Sequence, residues 1–438
     1  MTRPLDKVIG YGSIKQELYR IVDLINNPFK YNKLGVHTIK GILFRGNPGI
    51  GKTLMAEALM EELAPETETE TSMAEPIGGI AHERRFVLKK NCHNKEFIHQ
   101  VVDVFEKART NARTYVPSIV FMDDIDKFED GNDSEIYATI QSCIDDCRDK
   151  EVIVLATAND TFDMPDSLLR AGRFDKIYDM TFPVGNDAKR IFHHYLNTVE
   201  TAGEIDAEEI ARCLEGYSCA ALKNMVYEAA ILAGYSSKEQ IDQDDLRAAC
   251  LRLYFGAPET LEDIPDEELR KTAIHEAGHT VVSEVLMPGS VNFVSIEATN
   301  RCTVGITARR RLDISGREEN YQDKVNEIMI SLAGKAAMEI MIGEIDIGTN
   351  DDMSKVFDSI RNLLDAFTSY NFHFWTNGIE TSQRRYDNLD IAIETEVSRY
   401  YMKVKNILTV NRNKLEAVTE ALLQKKTLFY REIESICL

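Results

Sequence analysis

Two short stretches of the sequence combine residue types and spacings that can do chemistry. In His275-Glu276-Ala277-Gly278-His279 two imidazoles stand one helical turn apart. The surrounding run, Leu269 to Leu286, has a helical pattern that stops at Pro288. Positions i and i+4 share a helix face, so both rings can bind a single Zn²⁺. Glu276 falls close to the open coordination position and can take a proton from a water that the metal activates. A catalytic zinc site needs a third protein ligand. His373 is the only histidine further along the chain. The acid-rich Gly348-Thr349-Asn350-Asp351-Asp352-Met353 opens another helical pattern, with Met353, Val356, Phe357 and Ile360 on its apolar face. A carboxylate at that helix start is the candidate ligand, set against the ordinary role of a helix cap.

The second stretch, Gly46-Asn47-Pro48-Gly49-Ile50-Gly51-Lys52-Thr53, reads G-x-x-x-x-G-K-T. It lies between the strand-like Gly41–Phe44 and a helical pattern that runs on from Leu54. That context is what a phosphate-binding loop requires. Its glycines let backbone N–H groups point inward, and the helix start adds positive potential for the β- and γ-phosphates of ATP. Lys52 brings a mobile charge and Thr53 a hydroxyl for Mg²⁺. Further on, the apolar Ile119-Val120-Phe121-Met122 ends in Asp123 and Asp124. Asp123 can hold Mg²⁺ through water, and Asp124 can polarise the attacking water. Asn159, after the next strand, can touch the γ-phosphate or orient that water. Arg170 and Arg173 can reach a neighbouring subunit's phosphate and stabilise the charge that develops in transfer.

Elements of two kinds must position these groups. Gly41–Phe44, Phe86–Leu88, Ser118–Met122 and Val152–Leu155 are short, β-branched and bounded by turn or cap residues, with helical periodicity between them. That alternation predicts a parallel sheet covered by helices. From Asn186 to Gly256 the pattern is helical only, with Val226, Ala229, Ala230 and Ala233 as an apolar stripe. A linker follows at Gly256-Ala257-Pro258-Glu259. The remainder is mainly helical, interrupted by an alternating stretch from Val291 to Thr307 that predicts strands. The acidic, aperiodic run Ala64–Thr71 predicts a solvated loop.

The chain has 438 residues, of which 44% are hydrophobic and 28% charged, values that argue for globular domains. Its formal charge of −21 disfavours sequence-independent nucleic-acid binding. No apolar run reaches the length of about 18 residues that a membrane-spanning helix needs. Eight scattered cysteines, with no C-x-x-C, suit a reducing cytoplasm.

In this order the motifs resemble the FtsH family of AAA+ zinc metalloproteases, from about Leu5 to Ile436. Ile9-Gly10 stands where the family's backbone contacts adenine. Ala156–Asn159 and Leu168–Asp175 resemble its sensor and arginine-finger segment. Glu215–Ser218 through Glu228–Ala230 resembles its lid, and Leu332–Ala337 its peptidase domain. The resemblance implies an α/β P-loop AAA+ module (residues 1–185), a helical lid (186–257) and a mainly helical zinc metalloprotease domain (258–438). It implies ATP, Mg²⁺ and Zn²⁺ as cofactors, protein or peptide substrates, and a homo-hexameric ring. It also sets the register of the third ligand. Counting from Gly348, and again on to Ile360-Arg361, gives Asp352.

The sequence departs from the family pattern in three places. It lacks the amino-terminal membrane helices. The usual Glu after Asp123 is Asp124. No aromatic-hydrophobic-Gly pore loop lies between Phe86 and Phe121, where only Phe97-Ile98-His99 comes near.

Overall fold

The computed structural model describes residues 3–36, 39–65, 84–112, 117–128, 135–256, 265–298, 304–310, 320–343, 350–366 and 383–437. The chain folds as two compact units, residues 1–194 with 217–224, and residues 195–216 with 225–438.

In the first unit the strands β1 (Gly41–Arg45), β2 (Arg85–Leu88), β3 (Ser118–Met122), β4 (Val152–Ala158) and β5 (Lys176–Asp179) form one sheet in the order β2-β3-β4-β1-β5. All its pairings are parallel. Side chains alternate between two cores. Ile42, Phe44, Ile119, Phe121, Ile153 and Leu155 pack toward α1 (Gly12–Asn26) and α3 (Lys52–Leu63). Leu43, Val120, Met122, Val152 and Val154 pack toward α4 (Asn94–Asn111) and α5 (Glu135–Asp146). Burial on both faces is why these strands read as continuous apolar runs. The edge strand β5 carries Lys176 and Asp179 and escapes the sequence reading because only its middle is apolar. Helices α2 (Pro28–Asn32) and α6 (Gly185–Leu196) complete the numbering up to the lid region.

In the second unit, α7 (Ala207–Cys213), most of α8 (Cys219–Tyr235) and α9 (Gln243–Phe255) join the carboxy-terminal elements. The strands β6 (Val291–Ala298), β7 (Val304–Arg309) and β8 (Thr427–Phe429) make an antiparallel sheet in the order β7-β6-β8. The central helix is α10 (Asp266–Leu286), surrounded by α11 (Tyr321–Ser331), α12 (Ala333–Ile342), α13 (Asn350–Ala366), α14 (Gln383–Val410), α15 (Arg412–Lys425) and α16 (Tyr430–Cys437). Ile274, Ala277 and Val281 of α10 enter a shared core with Ala333, Ala337, Val356, Ile360, Tyr400 and Leu415. A Cβ on Gly278 would stand 2.6 Å from the Ala333 carbonyl oxygen, so the missing side chain is what lets α10 and α12 close together. Phe357, expected on the apolar face of α13, is 43% exposed instead. The helix is wide enough to bury Val356 and Ile360 but not the position beside them.

Among the described residues no helix is long and apolar enough to cross a membrane. Phe97 lies within α4 and is fully buried edge-on against Phe128, so it is a core residue. Most of the acidic run after Ala64, the segment 344–349 before Asn350, His373 and Cys302 lie outside the described residues.

Candidate functional sites

Helix α10 presents His275, Glu276 and His279 to one cavity of about 540 Å³. The first turn of α13 brings Asp352 to the same place. The two Nε2 atoms are 2.9 Å apart, and Asp352 Oδ2 lies 3.3 Å from that of His275 and 3.2 Å from that of His279. Tetrahedral zinc with bonds of about 2.0–2.2 Å spaces its ligands by about 3.3–3.5 Å, so the two edges to Asp352 fit Zn²⁺ to within a few tenths of an ångström and the imidazoles need part by only about 0.5 Å. Asp351, the neighbouring acid, is exposed at the cavity edge.

The surroundings orient the donors. The Nδ1–H of His279 donates to the Ile330 carbonyl at 2.7 Å, which leaves its Nε2 lone pair for a metal. Burial opposes a charge on His279, but the neighbouring Asp352 and Glu276 outweigh it and raise its pKa. Burial likewise pushes the Asp352 carboxyl up, yet the adjacent His275 and His279 rings outweigh it and hold it well below the usual carboxylate range. The carboxylate is therefore available as an anionic ligand. His275 needs Gly334: a Cβ there would lie 2.4 Å from the ring.

Glu276 is buried beside the triangle, and its Oε2 accepts a hydrogen bond from the Thr307 hydroxyl at 2.7 Å. Thr307 and Gly305 come from β7. A Cβ on Gly305, whose φ is +96°, would stand 2.8 Å from Glu276 Oε1. Thr307, Gly305, Gly334 and the Ile330 carbonyl were not singled out from sequence for these tasks. The one available signal was a glycine inside the helical run Leu332–Ala337, which marks a close approach.

The first unit holds the other constellation. The turn after β1 uses Gly46, where a Cβ would meet the Met180 carbonyl at 2.1 Å, and Gly51, whose φ of +97° caps α3. Asn47, Pro48 and Gly49 are exposed, Ile50 is buried and Leu54 is half exposed. Lys52 is buried, and its ammonium donates to the carbonyls of Gly46 and Asn47 at 2.8 and 2.9 Å and to Asn159 Oδ1 at 3.0 Å. Burial lowers its pKa, opposed by the nearby acids. Asp123 Oδ1 accepts from the Thr53 and Thr157 hydroxyls at 2.9 and 2.8 Å. Asp126, unforeseen, accepts from both the backbone N–H and the side-chain amide of Asn159 and so fixes its orientation. Asp124 adopts φ of 54° and its carboxylate pairs with Lys127 at 2.7 Å. The amide of Ala220, at the start of α8, donates to the Gly49 carbonyl at 3.0 Å. Gly10 has φ of +82° and lies against Asp187, with Ile9 half-buried beside it.

The two arginines part company. Arg173 is held within its own chain: its guanidinium donates to Asp145 at 2.8 and 3.3 Å and to Gln141 at 2.9 Å. A finger must be free to leave its own chain, and these bonds work against that for Arg173. Arg170 is exposed, with no side-chain partner among the described residues.

The sequence matches three family descriptions in chain order. Residues 42–182 match the ATPase family associated with various cellular activities, 204–248 the AAA+ lid domain, and 262–436 peptidase family M41. Together these matches give the chain an AAA ATPase module, an AAA+ lid and an M41 peptidase domain, an arrangement similar to that of the FtsH-like family. Curated relatives align with nearly the whole of this chain. The ATP-dependent zinc metalloprotease FtsH of Ureaplasma parvum is 28% identical over 98% of this chain and 60% of its own length. That of Cupriavidus metallidurans is 28% identical over 98% and 67%, and that of Helicobacter pylori (strain J99) 27% identical over 98% and 69%. The chain thus spans only about three fifths to seven tenths of these relatives' lengths.

Proposed function

We propose that this chain is an ATP-dependent zinc metalloendopeptidase that degrades protein substrates. What carries the reading is the His275–His279–Asp352 triangle with Glu276 buried beside it, on the same chain as a phosphate loop and its paired Asp123. Zinc, when bound, supplies a Lewis acid that lowers the pKa of water and polarises a peptide carbonyl. Glu276 takes the proton from the attacking water and passes it to the leaving amine. Thr307 holds the Glu276 carboxylate in place through that transfer. In the first unit Lys52 and the loop amides bind the phosphates, Thr53 and Asp123 hold Mg²⁺, Asp124 orients water and Asn159 meets the γ-phosphate. A homo-hexameric ring brings an arginine to the neighbour's nucleotide, and the geometry favours Arg170 for that task. A reducing cytoplasm is the proposed location, in keeping with scattered cysteines that form no C-x-x-C.

A second reading is a zinc peptidase whose ATPase module only gates or assembles the ring. The buried Phe97 and the short Asp124, paired with Lys127, favour it. Casein cleavage separates the two. Cleavage with ATP but not with ADP or a non-hydrolysable analogue supports the first, and cleavage with the analogue supports the second. In either case Glu276→Gln abolishes cleavage while zinc stays bound. Full activity in that variant overturns the peptidase mechanism.

A further inference from the structure

Asp123 does not wait for Mg²⁺ with open oxygens. Its Oδ1 takes the hydroxyls of Thr53 and Thr157, at 2.9 and 2.8 Å. Its Oδ2 carries the ammonium of Lys89 at 2.8 Å. The placement is built by the sheet. Strand β2 ends at Leu88, whose carbonyl accepts from the Asp123 amide at 3.2 Å, so the next residue on β2 stands beside the carboxylate that ends β3. Asp123 is 11% exposed and Lys89 59% exposed. The acid is fixed while the lysine stem is free to swing into solvent. Lys52 and Lys127 act on Asp123 only from further off, with Lys127 engaged with Asp124, so among the described residues Lys89 is the cation ion-paired with Asp123.

Resting on the phosphate-site reading above, we propose that Lys89 is a built-in competitor of Mg²⁺ at the nucleotide site. Its ammonium and the hydrated ion claim the same carboxylate oxygen, and each displaces the other. The half-point for Mg²⁺ is then set by the protein as well as by the nucleotide, and the site engages Mg²⁺ only when the ion outcompetes the tethered cation. A partly exposed ion pair of this kind is worth a factor of about two to five.

The test is binding of a fluorescent ADP analogue to the full chain, first in EDTA and then titrated with Mg²⁺, for the unaltered protein, Lys89→Met and Lys89→Arg. Lys89→Met is expected to lower the Mg²⁺ half-point about two- to fivefold, with binding in EDTA unchanged, and Lys89→Arg to keep the original half-point. An unchanged or raised half-point in Lys89→Met overturns the proposal, and so does a loss of binding in EDTA, which would place the ammonium on the phosphates. Failure of the unaltered protein to bind the analogue under either condition overturns the phosphate-site reading itself, a result distinct from an unshifted half-point.

Discussion

Replacing Gly334 by alanine separates helix stability from metal affinity, because the two effects have opposite signs. Within a helix such as α12, Gly→Ala ordinarily stabilises by about 1 kcal/mol, since glycine loses more backbone entropy. Here the added methyl would stand 2.4 Å from Cε1 and 2.5 Å from Nε2 of His275. Ordinary carbon contacts lie at about 3.5–4.0 Å, so the ring must retreat by roughly 1 Å. Zinc ligands tolerate about 0.2 Å. The ring cannot retreat that far and keep its place in the triangle with His279 and Asp352. Disturbing groups that only orient a ligand typically costs 10- to 100-fold in affinity, about 1.4–2.7 kcal/mol, and Gly334→Ala should fall at or beyond the upper end. Chelator competition with a zinc indicator reads the affinity, and thermal unfolding of the metal-free protein reads the helix. The expected result is weakened zinc binding without loss of metal-free stability. Zinc affinity within twofold of the unaltered protein would refute the reasoning, and would mean that Gly334 serves only helix packing.

Further outcomes follow from the same geometry. Asp352→Ala should come out of purification without zinc, whereas Asp351→Ala should keep it and lose at most the worth of a cap, about 1 kcal/mol; zinc missing from the second variant instead, by mass spectrometry, would move the ligand by one residue. Thr307→Val should lower kcat roughly 10- to 100-fold with zinc content and KM little changed, because a hydrogen bond to a charged group is worth about 1.5–3 kcal/mol. Thr307→Ser should restore most of the rate, and an unaffected kcat in Thr307→Val would remove Thr307 from the machinery. Arg173→Ala should lower the melting temperature, as Gln141 and Asp145 lose its hydrogen bonds and Asp145 keeps only Arg148, while Arg170→Ala should leave melting unchanged and lower ATP hydrolysis. The reverse pattern would return the trans-acting role to Arg173.

The parallel sheet was legible because burial on both faces leaves no polar alternation in β1, β3 and β4, and their apolar runs stand out between helical periods. Two strands were not. β5 is an edge with charged ends, and β8 spans only Thr427–Phe429 between two helices, too short for any period to register. Its place is set by pairing with β6, from Phe293 to Ser295 opposite Phe429 to Thr427, a long-range partnership that local pattern does not encode. The exposure of Phe357 has a related cause. Apolar spacing locates the centre of a helix face, but its width depends on what packs against it.

The candidate sites divide along the same line. His275, Glu276 and His279 share one helix, so their spacing alone states their geometry. Asp352 needed a second helix and a register, and the neighbouring Asp351 has the same chemistry. What separates them is rotation by about 100° per residue, which leaves one carboxylate toward α10 and turns the other to solvent. Apart from Gly334, the groups beside these sites carry no local signal. Thr307, Ile330 and Lys89 make their contacts with Glu276, His279 and Asp123 across 31, 51 and 34 positions. A threonine on a strand, a backbone carbonyl and a lysine after a strand are each unremarkable in sequence. They acquire a role only when folding sets them beside an acid or an imidazole. Sequence thus names the groups that do chemistry, because few residue types can. The groups that aim or restrain them can be almost any donor or acceptor, and only the packed structure singles them out.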